Sequence, residues 1–571
     1  MSGEVLFLCD GASTPSKWRG DWRGTEHLIT SGDRATVNFS FHNLEDGFRG
    51  AIDRRLLDLV RIGAYALAAD QSVSRGGDAE PSNRDWRRRL GLVMPVNDPD
   101  FWNSLEVGSA LKECIGFASD DDWEFAFVAA KQPSLQRLAF EDLAAPPGGE
   151  ADVVIAFSGG ADSLTAVVEQ LAEGHRPILL SHRSATRLTG RREELFKGLH
   201  GLFPGRTIGR VGVRANLSGR EPSESTMRSR SFLYASAASA LAAQLQAPDV
   251  LLADNGWVSV NPEINAQLVG ALATRSTHPV FIRLFNILFQ MVSPGAPILR
   301  NPFWDRTRAD VFTRLKEFGG ERLLPYTVSC GLGRNLHRAT PHCGRCSQCV
   351  DRRISSLAAG LDNVDPADGY KFDIFRDELP LGPDRNFAVS YVRAVRLIEI
   401  LSDDGILGEF GKLIACLTPG REEQDAEAYV AMLRRQSEGV LRVLSQQIGL
   451  ARDEISRGQI PSSSLLALLL QESNVGTVQG NDFYPSSDYR TARWLHEPLT
   501  FSECQAMAIR NLHRAHLDGR GALSGRLALA GSTCANSKMS DVFKRHPAWK
   551  TLVISGGSKG TYRLNLSPKV A

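Results

Sequence analysis

Val153-Val-Ile-Ala-Phe157, followed by Ser158-Gly-Gly-Ala-Asp-Ser163, decides the fold of this chain. The first five residues form an uninterrupted apolar run of buried-strand length. The next six hold two adjacent glycines between serines. Leu164, Val167, Val168 and Leu171 then recur at i, i+3, i+4 and i+7, the period of a helix with one buried face, and Gly174 is placed to end it. Strand, glycine turn and helix N-terminus in succession build an anion site. The glycines let backbone N–H groups converge, the helix dipole favours negative charge, and Ser158 and Ser163 add hydroxyl donors. The Walker spacing G-x-x-x-x-G-K-[ST] is not met here or elsewhere in the chain.

Working outward, apolar runs at Val153–Phe157, Pro177–Ser181, Thr207–Val213 and Val250–Ala253 alternate with helical patterns, among them the alanine-rich Ser231–Gln246. This alternation predicts an α/β, doubly wound parallel sheet over residues 149–362, with its ligand site at the carboxyl ends of the strands. Residues 1–148 read as an α+β domain. Strand-like pieces lie at Ala35–Phe41 and Trp123–Ala129, a helix around Arg54–Ala69, and a strand through Leu90, Leu92 and Met94 that stops at Pro95. The segment closes in the linker-like Ala144–Gly149. Arg87 to Arg89 read as a solvated strand edge or a binding patch. Residues 363–490 show helical faces, Tyr391/Ala394/Val395/Ile398 and Tyr429/Met432/Leu433, and no metal or catalytic pattern. Residues 491–571 give helices at Ser502–His516, Leu523–Leu529 and Ser537–Leu552 and a glycine-turned hairpin from Ile554 to Leu564, an order that resembles a winged helix. From Gly519 to Ala571 nine Lys or Arg face one acid, Asp541. Such a cluster holds nucleic-acid phosphates or docks a protein.

At 571 residues the chain is long enough for about three or four domains. Its formal charge of +1 argues neither for nor against nucleic acid. No run approaches the ~18 apolar residues of a membrane helix, and the N-terminus has no basic leader, so a cytoplasmic location is expected. Four of the nine cysteines lie between Cys330 and Cys349, the other five being scattered. That layout points to a reducing compartment with one metal site, not a disulfide framework. Cys330, Cys343, Cys346 and Cys349 follow C-x12-C-x2-C-x2-C, a closed S4 set suited to Zn(II). An iron–sulfur cluster is the alternative, against which Val350-Asp351-Arg352-Arg353 stands where ferredoxins continue C-x3-C-P. His337 and His342 lie inside the loop as bystanders or substrate contacts.

Ser-Gly-Gly-x-Asp-Ser resembles the pyrophosphate loop of the PP-loop ATP pyrophosphatases. Together with the later Cys…Cys-Gly-x-Cys-x-x-Cys it is similar to QueC, the 7-cyano-7-deazaguanine synthases, over about residues 150–360. Arg228-Ser-Arg-Ser-Phe-Leu233 resembles the family's Arg-Asn-x-x-Phe-Leu, implying that Arg228 contacts nucleotide phosphate. Pro302-Phe-Trp-Asp-Arg-Thr-Arg-Ala-Asp-Val311 resembles Pro-Leu-x-x-x-Thr-Lys-Ala-Glu-Ile, placing Arg308 where a phosphate-binding lysine sits. Asn261-Pro262-Glu263 stands near the family's Pro-Asp-Cys, so Glu263 is expected to face a purine-like base. The family's Tyr-Gly-Gln-x-His is replaced by Ser181-His182-Arg183-Ser184, Ser229 stands for the usual Asn, and the Cys of Pro-Asp-Cys is absent. ATP handling reads as intact and second-substrate recognition as remodelled. The long flanks look more like the QueC-like proteins of antiviral defence, the Qat and type IV CBASS systems.

The resemblance implies ATP on Ser158, Gly159, Gly160, Asp162 and Ser163, with His182 and Glu263 beside the ligand, Mg(II) offsetting phosphate charge, and Zn(II) on the four cysteines. A 7-deazaguanine carboxylate attacks the α-phosphorus, pyrophosphate leaves, and an amine displaces AMP. Arg228, Arg308 and Asp162 are the expected catalytic residues, Asp162 lying near the metal or the turn's own amides. Three functions fit: a ligase joining the deazaguanine to the N-terminal amine of a partner protein, a nitrile synthase using ammonia, and a nucleotide-sensing scaffold that binds DNA or protein.

Overall fold

A computed structural model describes residues 4–18, 20–30, 35–42, 53–75, 87–130, 151–182, 189–224, 226–264, 275–331, 340–474, 483–485, 489–494, 497–517, 522–534, 537–558 and 560–566. The linker Ala144–Gly149 and Arg183, Ser184, His337 and Lys559 lie outside the described residues. Contacts divide the chain into two units, Met1–Ala467 and Leu468–Ala571.

The first unit is α/β with two sheets. β1 (Glu4–Cys9), β2 (Gly24–Leu28), β4 (Arg89–Val96) and β5 (Asp122–Ala129) form a wholly parallel sheet in the order β2-β1-β4-β5. β4 runs through Pro95 instead of stopping before it. Its pairing with β1 ends at Val93, so the N–H that proline lacks is not needed on that side. β3 (Val37–His42) leaves this sheet and becomes the edge of the second one.

That second sheet adds β6 (Val153–Ala156), β7 (Pro177–His182), β8 (Gly209–Leu217), β9 (Asp249–Leu251) and β10 (Leu299–Arg300) in the order β10-β9-β6-β7-β8-β3. β6 to β10 are parallel, and β3 alone is antiparallel, against β8. Side chains alternate across β6. Val153 and Ile155 face the helices Ala161–Ala172 and Arg308–Glu317. Val154 and Ala156 face the Arg230–Leu245 helix and a core shared with the first sheet. Both faces are thus covered by helices, which explains why these strands read as continuous apolar runs. The alternation over residues 153–253 fell where the sequence placed it, while β10 was not foreseen; β8 extends four residues past Val213 because β3 supplies an unforeseen partner.

Beyond this sheet the helices Pro383–Ile400 and Glu422–Leu450 bury Tyr391, Val395, Ile398, Tyr429, Met432 and Leu433.

The second unit holds two antiparallel sheets. β11 (Phe483–Pro485), β12 (Thr491–Trp494) and β13 (Glu497–Thr500) form a meander absent from the sequence reading. β14 (Leu523–Ser524), β15 (Val553–Ser555) and β16 (Thr561–Leu564) pair in the order β14-β16-β15. The Glu503–Leu517 helix is as expected, but Ser537–Leu552 yields only the short helix Met539–Val542. Arg545 and Lys550 there adopt positive φ, and Pro547 lies between them, which breaks the helical run. Cys504 and Cys534, expected as separate thiols, form a disulfide with Cα atoms 5.9 Å apart. Among the described residues no helix is long and apolar enough to cross a membrane.

Candidate functional site

The glycine turn sits at the carboxyl end of β6, in the middle of the second sheet. Gly159 takes φ +82°, a left-handed conformation that glycine adopts without a Cβ penalty. Its carbonyl accepts from Val328 N–H at 3.1 Å, which lays the segment leading to Cys330 along the turn. Ser158 Oγ accepts from Gly160 N–H at 3.1 Å and lies 3.1 Å from Ser163 Oγ, and Ser163 donates to Gly160 C=O at 3.0 Å. The helix begins at Ala161 behind Gly160, which has no side chain to cap it. Its first-turn N–H groups therefore point at the cavity without a side-chain acceptor, the arrangement in which a helix terminus takes an anion.

This turn opens into a cavity of about 550 Å³, within the ~300–1,000 Å³ range of small-molecule sites. Ser158, Gly159, Gly160, Asp162, Ser163, His182 and Arg308 all line it. Seven of the nine residues expected around the ligand thus line one cavity. His182 is buried, with Nε2 3.2 Å from Ala215 C=O, so that nitrogen carries the ring proton as donor. Asp162 accepts from Asn255 N–H and Nδ2 at 3.1 and 2.9 Å. Arg308, fully enclosed, lies 3.5 Å from Asp162 Oδ1 and 3.2 Å from Asp351 Oδ2, and donates to Gln348 Oε1 at 3.0 Å. Burial opposes the Arg308 charge, but Asp162 and Asp351 outweigh it and hold its pKa above the ordinary arginine value.

Two expected residues are elsewhere. Arg228 is buried, reaches toward Ser119 C=O at 3.5 Å, and is not among the cavity-lining residues. Burial, with Arg75 close by, brings it down to about 10. Met227 has φ +46°, and this turn sends Arg228 toward the first sheet while Arg230, two residues on, lines the cavity. Glu263 also lies off the cavity wall and pairs with Lys412.

The cavity adds groups that the sequence reading passed over: Arg191, Arg192, Arg230, Tyr234, Asp254 and Gln348. Arg192 donates to His182 C=O at 2.9 Å and to Ser158 C=O at 3.3 Å, across the glycine turn. Arg230 is exposed and has no carboxylate partner among the described residues. A usable signal existed for Asp254. It follows the run Val250–Ala253 at a strand's carboxyl end, where ligands bind in doubly wound sheets.

The cysteine cluster borders the cavity, with Cys330 and Cys346 in its wall. The Sγ atoms of Cys330, Cys343, Cys346 and Cys349 lie within 4.8 Å of one another. The Cys330–Cys346 and Cys343–Cys349 separations are 3.9 and 3.7 Å. A tetrahedron with ~2.3 Å metal–sulfur bonds has edges of about 3.8 Å, so the four atoms fit Zn(II). Gly344 turns the knuckle at φ +84°, where a Cβ would come 2.0 Å from Phe372 C=O. His342 is not part of this set. It stacks on Tyr370, and burial together with Arg352 lowers it to about 3. From Cys346 starts the Ser347–Ala358 helix, which carries Gln348 and Asp351 to Arg308. Its Arg352 donates to Thr327 Oγ1 at 2.7 Å and Leu324 C=O at 3.0 Å, bracing the segment beside Gly159.

The arginine run Arg87–Arg89 is neither patch nor uniform edge. Arg87 and Arg89 pair outward with Asp122 and Glu124, while Arg88 is fully buried between Asp70 and Asp121. No family model matches the chain, and no curated protein matches it.

Proposed function

We propose that the cavity binds ATP and that the protein is an AMP- and pyrophosphate-forming ligase of the PP-loop type, similar to QueC. On this reading it adenylates a 7-deazaguanine carboxylate and passes the acyl group to an amine, the N-terminus of a partner protein in antiviral defence. The observation that carries it is the uncapped helix N-terminus behind Ser158–Ser163, opening onto a wall that bears Arg192, Arg230 and Arg308. Triphosphate oxygens would meet the first-turn N–H groups and the two serine hydroxyls. Arg230 and Arg192 are placed to match charge that grows on departing pyrophosphate. Arg308, ringed by Asp162 and Asp351, orients the turn's carboxylate instead of offering an open charge. Mg(II) travels with the nucleotide as the counter-ion of its phosphates. Cys330, Cys343, Cys346 and Cys349 would hold Zn(II) as a structural ion, tying the 327–331 segment to the Ser347–Ala358 helix.

The test is cleavage position. Purified protein given 7-carboxy-7-deazaguanine, α-labelled ATP and an amine or hydroxylamine should release labelled AMP and unlabelled pyrophosphate. Cleavage to ADP, or none, removes the ligase reading. An adduct on a co-expressed neighbour's N-terminus separates conjugation from nitrile synthesis with ammonia.

A further inference from the structure

Asp254 stands three residues past the carboxyl end of β9 and lines the cavity. A buried polar cluster fixes it from behind. Thr277 Oγ1 donates to its Oδ2 at 3.1 Å, Asn301 Nδ2 donates to its carbonyl at 2.7 Å, and Asn301 Oδ1 accepts from its N–H at 3.3 Å. Ser259 ties Thr277 to Asn301 at 2.8 Å on either side. Oδ1 receives no hydrogen bond from the described residues, and the residue as a whole retains accessible surface from the cavity side. The next residue, Asn255, holds Asp162 of the phosphate turn through two hydrogen bonds. One dipeptide therefore links the anion site to a carboxylate with one uncommitted oxygen.

The other carboxylates near this cavity are committed by charge: Asp162 Oδ1 and Asp351 Oδ2 take no hydrogen bond but lie against the Arg308 guanidinium. Asp162 is held by Asn255 and Arg308, and His182 places its Nε2 proton on Ala215 C=O. Asp351 lies behind Arg308, accepting from Tyr391 and Gln436. We infer that Asp254 Oδ1 is the proton acceptor for the amine in the second half-reaction. The step rests on the ligase reading above. The amine nitrogen forms a bond to the acyl carbon, the bond from that carbon to the AMP oxygen breaks with its electron pair leaving on AMP, and one N–H proton passes to Asp254. Burial first, then Asp162, raises the carboxyl to about 7, with Arg308, Thr277 and Arg230 acting in the opposite direction. Those groups face it from the Ala161–Ala172, Arg308–Glu317 and Arg230–Leu245 helices and from the turn before Pro279. An acid tuned near neutrality is suited to accepting a proton at that pH.

Asp254→Asn keeps the size and the acceptor for Thr277. The full chain is given ATP, 7-carboxy-7-deazaguanine and either ammonia, a tripeptide amine or hydroxylamine, a weakly basic nucleophile that traps acyl-adenylates unaided. The variant should keep ATP–pyrophosphate exchange and hydroxamate formation within about threefold of wild type, while product from whichever ordinary amine wild type uses falls about 10²-fold or more. At a fixed concentration of unprotonated amine, the wild-type rate should rise with pH through about 7, and the variant should lose that rise. Unchanged aminolysis overturns the assignment, as does lost pyrophosphate exchange, which would make Asp254 part of the nucleotide site. Wild-type protein that performs no exchange at all fails the ligase reading itself, a distinguishable result.

Discussion

Two clusters of buried arginine and aspartate stand in the first unit, and they are built to opposite ends. In one, Arg75 and Arg88 are enclosed with Asp70 and Asp121, and the four carboxylate oxygens are all hydrogen-bonded. Arg88 spends its remaining donors on the carbonyls of Asp70 and Val73, and only Arg75 Nε lacks a partner. In the other, Arg308 meets Asp162 and Asp351 by charge alone, leaving Arg308 Nε, Asp162 Oδ1 and Asp351 Oδ2 without hydrogen bonds. Unsatisfied buried polar atoms are costly, and they persist where something else is served. The first cluster is closed and ties Ser229 to Asp70, fixing the turn ahead of Arg230. The second faces the cavity onto which the glycine turn opens. Position in the fold, more than composition, separates a brace from a site.

The widest separation between the clusters should come from Cys346→Ser. Cys346 is the residue from which the helix carrying Gln348 and Asp351 departs, so losing its thiolate should release the metal and slacken the ring around Arg308. Metal content, measured by mass spectrometry of the native protein, should fall to near zero, together with pyrophosphate release. Amide protection near Arg88 should persist. Equal loss at both clusters would mean that they form one cooperative whole.

Next in size is Arg88→Met. Removing one partner of this buried group leaves Asp70 and Asp121 to share Arg75 alone, one buried negative charge in excess, and should cost about 3–5 kcal/mol of stability in urea unfolding. Pyrophosphate release per folded molecule should stay within about threefold of wild type. Arg308→Met should do the reverse, lowering that release about 10²–10³-fold, as loss of one positioned charge does, with the smaller effect on the unfolding midpoint. If Arg88→Met abolishes chemistry in the folded fraction, the brace is part of the site.

The sequence revealed these two clusters unevenly. The strand–turn–helix at 153–174 and the four cysteines were legible because each is local: adjacent glycines, a helical period and a short ligand spacing carry the information within about twenty residues. Arg228 falls outside the cavity lining for the opposite reason. It follows Met227 at positive φ and lies near Asp120 and Asp121, which come from the turn before β5, a hundred residues earlier. Arg88 looked like part of a charged edge because a strand's alternation only says that neighbours face opposite ways. Which face is sealed depends on the Arg54–Ser72 helix, whose Asp70 receives it. β3 is legible as a strand, but nothing in Val37–His42 announces that it pairs with β8.

The smallest predicted difference is one of sign with pH. Burial pushes Asp70 upward, but Arg88 and Arg75 outweigh it and bring the carboxyl down to about 2. Unfolded, the same group titrates near ~3.9. The native state therefore gains stability above that value, and the gain is lost as pH falls through about 2. Asp254 runs the other way. Its folded carboxyl, raised to about 7, releases its proton later than the unfolded one, so between ~4 and 7 rising pH favours the unfolded chain. Each contribution is on the order of 2 kcal/mol, reduced for Asp254 because it faces cavity water. Asp70→Asn should thus flatten the acid limb of a urea-midpoint-against-pH curve, and Asp254→Asn should raise the curve above pH 7 while leaving the acid limb in place. Parallel shifts in the two variants would show that both carboxylates sit in equivalent surroundings, and the distinction between brace and site would be lost.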